Sequence, residues 1–195
     1  MLESTSAVQR DPDDGAIAQA SRLSRRLDAV AAEPKLRRFG AERFEPAWLS
    51  LWAVAIGREA GKPLAWLLAA ENLSRALLWP GELNPRSGED DGALELGCGQ
   101  RPSPAQFERW WLWERLARPR RWSLRVQPST IRAVQLPLWL GYRQRRETRL
   151  IVLSGVSGEA LGALKPAVLA GLRDRTKAQT HAIRPATPGQ NIEPG

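Results

Sequence analysis

Nine tryptophans in a chain of 195 residues cannot all be left in water, and the single cysteine, Cys98, permits no internal disulfide to order them. The chain must bury most of those rings in a packed core, and it is long enough to do so without disulfides or metal. Global disorder is therefore excluded as an expectation. Five of the rings, Trp110, Trp111, Trp113, Trp122 and Trp139, fall between Phe107 and Arg149 together with Tyr142. Counting back to Arg101, that stretch also carries twelve arginines against Glu108, Glu114 and Glu147, for a net charge of +9.

The charge is polarised along the chain. Up to Gly99 there are 12 basic and 15 acidic residues; beyond it there are 17 basic and 6 acidic. Such asymmetry attracts polyanions: nucleic acid, an anionic membrane surface or an acidic protein. All but Lys35, Lys62, Lys165 and Lys177 of the basic residues are Arg, which suits bidentate phosphate contacts and stacking on rings. A GC-rich genome would also favour Arg, but it would not cluster it.

Periodicity and punctuation predict an α+β fold with a helical N-terminal half, including an αα-hairpin, packed with a small antiparallel β-sheet and a C-terminal helix. Residues 1–14 read as a disordered leader without the apolar segment of a signal peptide. The domain proper is expected over 16–176, with a helical part at 16–79, an acidic Pro/Gly loop at 80–92 and a basic, Trp-rich α/β part at 93–176. Ile17, Ala20, Leu23, Leu27 and Val30 form one stripe of a helix over 16–33 that Pro34 ends, with Arg22, Arg25 and Arg26 on its polar side. Trp48, Leu51, Trp52, Ala55 and Ile56 have helical spacing after Pro46, and Leu64 to Trp79 reads as a second, buried helix stopped by Pro80. The alternative for the first of these is a β-hairpin turning at 58–62, since Trp52, Val54 and Ile56 also alternate. A short strand is expected at 93–96.

Ser103, Pro104 and Gln106 form a capping box that starts a helix over 104–117. Beyond Pro119 the period changes to two. Trp122, Leu124 and Val126 mark one strand, Val134 to Tyr142 another, and Leu150 to Leu153 a third after a turn at 145–147. Pro137 lacks an N–H, so its strand is expected at an edge or at a bulge. Ser154 to Gly158 reads as a turn, Pro166 to Lys177 as the last helix, and 178–195 as a disordered tail.

Catalytic chemistry finds little support. The one histidine, His181, lies in the expected tail, and Gly155–Glu159 fails the G-x-S-x-G elbow at its last position. Cys98 between two glycines reads as a turn residue. Glu89, Asp90 and Asp91 lack the spacing of a calcium loop, and no P-loop or dinucleotide pattern is present. No cofactor or metal is expected, and no uncharged run approaches the roughly 20 residues that span a bilayer. The reading is a cytoplasmic, non-catalytic protein. Its candidate site is Arg118, Arg120, Arg121, Arg125, Arg143, Arg145, Arg146 and Arg149, with Trp111, Trp122 and Trp139 as stacking platforms. Charge for phosphates and rings for bases are what single-stranded nucleic acid requires. The alternative is an assembly or regulatory factor that docks on an acidic protein through an exposed apolar patch containing Trp111 or Trp113.

Overall fold

The two longest strands pair with each other although more than 80 residues separate many of their partners. The computed structural model describes residues 20–58, 61–85, 92–97, 99–117, 123–144 and 148–182. β2 (Arg43–Gly57) and β6 (Arg125–Arg143) run antiparallel at the centre of a mixed seven-stranded sheet. On its other edge β2 takes β3 (Pro63–Ala69) along its second half and β5 (Leu94–Leu96) along its first, the latter parallel. β6 likewise takes β1 (Ser21–Arg22) in parallel at Val134 and Gln135, and β7 (Arg149–Ser154) antiparallel from Leu138 to Arg143. β4 (Leu77–Pro80) adds outside β3.

Among the described residues three α-helices cover this sheet: α1 (Ala29–Arg38), α2 (Pro104–Ala117) and α3 (Lys165–Ala182). Successive side chains of a strand point to opposite faces, and β6 divides its residues between two cores accordingly. Trp139 packs with Ala32 and Leu36 of α1 and with Leu153 of β7. Val134, Leu136, Leu138 and Leu140 join the larger core, which takes Phe107, Trp110 and Trp111 of α2 and Ala167 and Val168 of α3. Among the described residues no helix is long and apolar enough to cross a membrane.

The expected helical N-terminal half with an αα-hairpin is overturned, and so is the small antiparallel sheet. Residues 43–57, 63–69 and 77–80 are strands, and β2 and β3 form the hairpin that turns at 58–62. β2 is buried from Ala47 to Gly57 without a break, because both of its faces are covered. A strand buried on two sides has no polar alternation to display, so its apolar residues fall on helical spacing by coincidence. Residues 64–79 are two strands joined by a turn, and the Glu71, Asn72, Ser74 and Arg75 group belongs to that turn.

The first helix is displaced as well. Asp28 caps α1 by accepting the Ala31 N–H at 2.8 Å, so the helix starts at Ala29 and carries Pro34 inside it. Pro34 removes one main-chain donor, and the helix continues because Ala32 and Leu36 are buried on the sheet. Ser103 caps α2 through its hydroxyl, which accepts the Gln106 N–H at 3.3 Å, as the spacing predicts. Pro137 lies in a central strand, neither at an edge nor at the bulge. Its carbonyl accepts the Gly155 N–H at 2.8 Å, so its missing N–H faces the same side, where β1 has ended and β7 begins. The bulge falls further back, where Ala53 pairs with Arg132 but Ala55 with Gln127. There the Thr130 hydroxyl accepts the Ala55 N–H at 2.9 Å and replaces the lost ladder bond. α3 extends to Ala182, past the expected end at Lys177.

Candidate polyanion-binding site

Of the eleven residues expected at the site, Arg118, Arg120, Arg121, Trp122, Arg145 and Arg146 lie outside the described residues. Arg125, Arg143, Arg149, Trp111 and Trp139 can be located. Arg143 and Arg149 are brought together: they are direct partners in the last pair of the β6–β7 ladder, next to the connection between the two strands. Direct partners share a face, with Cβ atoms about 5 Å apart. Arg125 sits at the opposite end of β6, paired with Gly57, up to roughly 60 Å of extended chain from Arg143. Its neighbours are the Arg58–Lys62 turn, whose Arg58 and Gly61 carbonyls both accept the Gln127 side-chain amide at 3.1 Å. One continuous guanidinium face therefore does not run along β6.

The end at Arg143 is enriched by residues that charge counting passed over. α1 finishes there with Lys35, Arg37 and Arg38 in its last turn. A Schellman closure follows, with the Ala41 N–H donating to the Leu36 carbonyl at 3.0 Å and the Gly40 N–H to the Arg37 carbonyl at 2.8 Å. Gly40 takes φ +85°, and the Arg143 side chain lies along it at 3.3 Å from where a Cβ would stand. Gly40 thus serves both the turn and the arginine. Arg43 pairs across β6 with Tyr142 and lies over its ring at 5.9 Å. Arg37 is already engaged by Glu33 at 3.2 Å and by the Glu42 carbonyl at 3.1 Å. No ion pair holds Arg38, Arg43, Arg143 or Arg149 among the described residues. Glu42 and Glu45 are the nearby acids, and Glu45 accepts the Tyr142 hydroxyl at 2.6 Å. Burial, that hydrogen bond and the Glu45 charge push the Tyr142 phenol well above its ordinary pKa, against a smaller opposing effect of Arg43.

Trp111 and Trp139 lie inside the molecule and do not offer their rings to a ligand. Trp111 is 1% exposed and donates its Nε1 to the Leu124 carbonyl at 3.1 Å. Trp139 is 5% exposed, donates to the Leu27 carbonyl at 2.9 Å and carries the Arg25 guanidinium over its ring at 5.1 Å. Arg25 also covers Trp48 at 4.9 Å, with Arg22 over the same ring at 5.3 Å. Arg22 is further fixed by the Gln135 amide oxygen at 2.8 Å and by Glu95. The segment after β1 is thereby pinned to the sheet by two arginines expected on the solvent side of a helix.

One aromatic cluster does face outward. On α2, Trp113 is 68% exposed, Leu116 51% and Leu112 40%. A cleft of about 400 Å³ separates this face from the turn before β4 and is lined by Arg75, Trp110, Trp113 and Leu116. Among the described residues no group of His, Cys, Asp and Glu is placed to hold a metal ion. Comparison with protein-family models, with curated proteins and with solved structures gives no match.

Proposed function

We propose that the protein binds a polyanion, nucleic acid being the candidate, at the basic end formed by Arg143, Arg149, Arg43 and the last turn of α1. The observation that carries this reading is the direct cross-strand pairing of Arg143 with Arg149. Like charges opposite one another destabilise a ladder, and a phosphate between two guanidiniums converts that repulsion into two charge-assisted contacts. The exposed end of α1 adds Arg38 in the same neighbourhood, while the Lys35 side chain turns back along Gly158. Because Trp111 and Trp139 are buried, recognition would run through phosphates, with little discrimination among bases.

The test is fluorescence polarisation of a labelled single-stranded oligonucleotide at low and at physiological salt. Affinity should fall steeply with salt, and double-stranded DNA of equal length should bind comparably. Exchanging Arg143 and Arg149 together for Glu should weaken binding about a hundredfold at low salt while the circular dichroism spectrum is unchanged. Binding by that variant equal to wild type would remove the site.

A second reading is favoured by the outward Trp113, Leu116 and Leu112. An apolar helix face of this kind, with Arg109 and Arg75 beside it, suits an assembly or regulatory factor whose anchor is a tryptophan and whose arginines steer an acidic protein. It predicts that Trp113→Ala abolishes partner capture and leaves oligonucleotide binding intact.

A further inference from the structure

The sheet curls far enough for its two ends to approach, and they meet only in part. After β4 the chain returns to the segment following β1, where Leu23 and Pro85 form an antiparallel bridge and the Ser24 N–H donates to the Asn84 carbonyl at 3.3 Å. Beyond that bridge no strand of the described residues pairs with the outer edge of β4. Its ladder with β3 pairs Trp79 with Trp66 and Leu77 with Leu68, and the Gly81 N–H donates to the Leu64 carbonyl. In an antiparallel ladder, bonding residues alternate with residues whose main chain points away, so the N–H and C=O of Leu78 point outward. Across the gap runs the 159–161 segment, tied to β7 by the Leu161 N–H to the Val152 carbonyl at 2.8 Å and the Ser154 N–H to the Glu159 carbonyl at 2.9 Å.

Between these two edges lies a groove of about 400 Å³. Leu23, Leu77 and Leu161 give it an apolar lining, and Glu82, Glu159 and Arg26 supply its charges. Two carboxylates against one guanidinium make this an acidic spot on a protein of net charge +8. We propose that the groove is a β-augmentation site for an extended segment of a partner protein, carrying an apolar residue flanked by basic ones. The partner's main chain supplies the acceptor and donor that Leu78 lacks, its apolar side chain fills the leucine lining, and its Lys or Arg meets Glu82 and Glu159. Pro80 has no N–H to offer, which keeps the added ladder short. The site is independent of the basic end and opposite to it in sign.

The test uses the full chain and a fluorescein-labelled, end-blocked peptide, Lys-Val-Thr-Val-Lys-Thr. Polarisation should saturate, and hydrogen exchange of the Leu78 amide should slow on binding. The same peptide N-methylated on alternate residues should bind about tenfold more weakly, because its main chain cannot pair. Glu82→Lys with Glu159→Lys should weaken the parent peptide by about tenfold and leave the protein folded. Absence of binding, equal binding of the methylated peptide, or unchanged Leu78 exchange at saturation would overturn the proposal. So would a Leu78 amide already protected in a sedimenting dimer, since a second copy would then own the edge.

Discussion

Arg25 joins two strands and two tryptophans. Its Nη1 donates to the Leu138 carbonyl at 2.9 Å, its Nη2 to the Ala47 carbonyl at 3.4 Å, and its planar head covers both Trp48 and Trp139. Arg25→Ala should therefore lower stability by about 2–3 kcal/mol in urea unfolding. Arg25→Lys should recover little of it, because an ammonium cannot stack on two rings and reach two carbonyls at once. Tyr142 offers a second residue-scale test, since it is the only tyrosine and its ionisation can be read at 295 nm without overlap from another phenol. Its folded pKa is raised, so the folded state holds the phenolic proton more tightly than the unfolded chain. The associated stability is present below the ordinary phenol pKa and is lost as pH climbs above it. Tyrosinate should accordingly be absent near pH 10 in the folded protein and appear at higher pH or on unfolding, and Tyr142→Phe should flatten the alkaline loss of stability. Free titration near pH 10 in the folded state would contradict the half-buried Glu45 contact.

At the scale of elements, the second half of β6 and β7 are legible from the period-two spacing of Val134 to Tyr142 and from Leu150 to Leu153, although Ala133 to Gly141 is buried on both faces. Val126 belongs to the same long strand and not to a separate one, because the bulge near Thr130 breaks the alternation between them. The start of α2 is legible because Ser103, Pro104 and Gln106 mark it. β2 could not be read, since a strand with both faces covered shows an unbroken apolar run. β3 and β4 read as one helix because their joining turn supplies the polar residues that a helix face also needs. Arg22, Arg25 and Arg26 look like a solvent face and so suggest a helix before Asp28, and nothing local reveals that Arg22 and Arg25 lie over tryptophans more than 20 residues away. Two substitutions probe the α1 assignment. Asp28→Ala removes the cap and should cost about 1 kcal/mol. Gly141→Val drives a Cβ to within 2.9 Å of Ala41 Cβ and Leu36 Cδ2, where α1 meets β6. It should cost about 1–3 kcal/mol in chemical denaturation, and no measurable loss would mean that α1 does not pack there.

For the whole molecule, the sequence-level cluster of arginines and tryptophans separates into parts with different uses. Arg143 and Arg149 converge on the end of α1, Arg125 stands at the far end of the sheet, Trp110, Trp111 and Trp139 serve the core, and Trp113 faces outward. Density of charge along a chain is visible in the sequence; exposure of a ring is decided by packing and is not. Because the Arg143–Arg149 pair is repulsive, stability and binding should move in opposite directions there. Arg149→Glu alone should stabilise the fold by about 0.5 kcal/mol through an opposite-charge cross-strand pair while weakening oligonucleotide binding. A variant that loses both would show that the pair is structural.

The pairing of β2 with β6 also dictates when the molecule can be completed during synthesis. β2, β3 and β4 leave the ribosome early and can pair among themselves, but the other edge of β2 waits for residues 125–143, with Leu49 bound to meet Leu136. During that interval a 15-residue strand, apolar on both faces, shows an open row of N–H and C=O groups to any other chain nearby. A nascent chain arrested before residue 125 should therefore be a strong chaperone client and aggregate when released, whereas one that has cleared β7 should stay in solution. The vulnerability of this protein lies in its timetable.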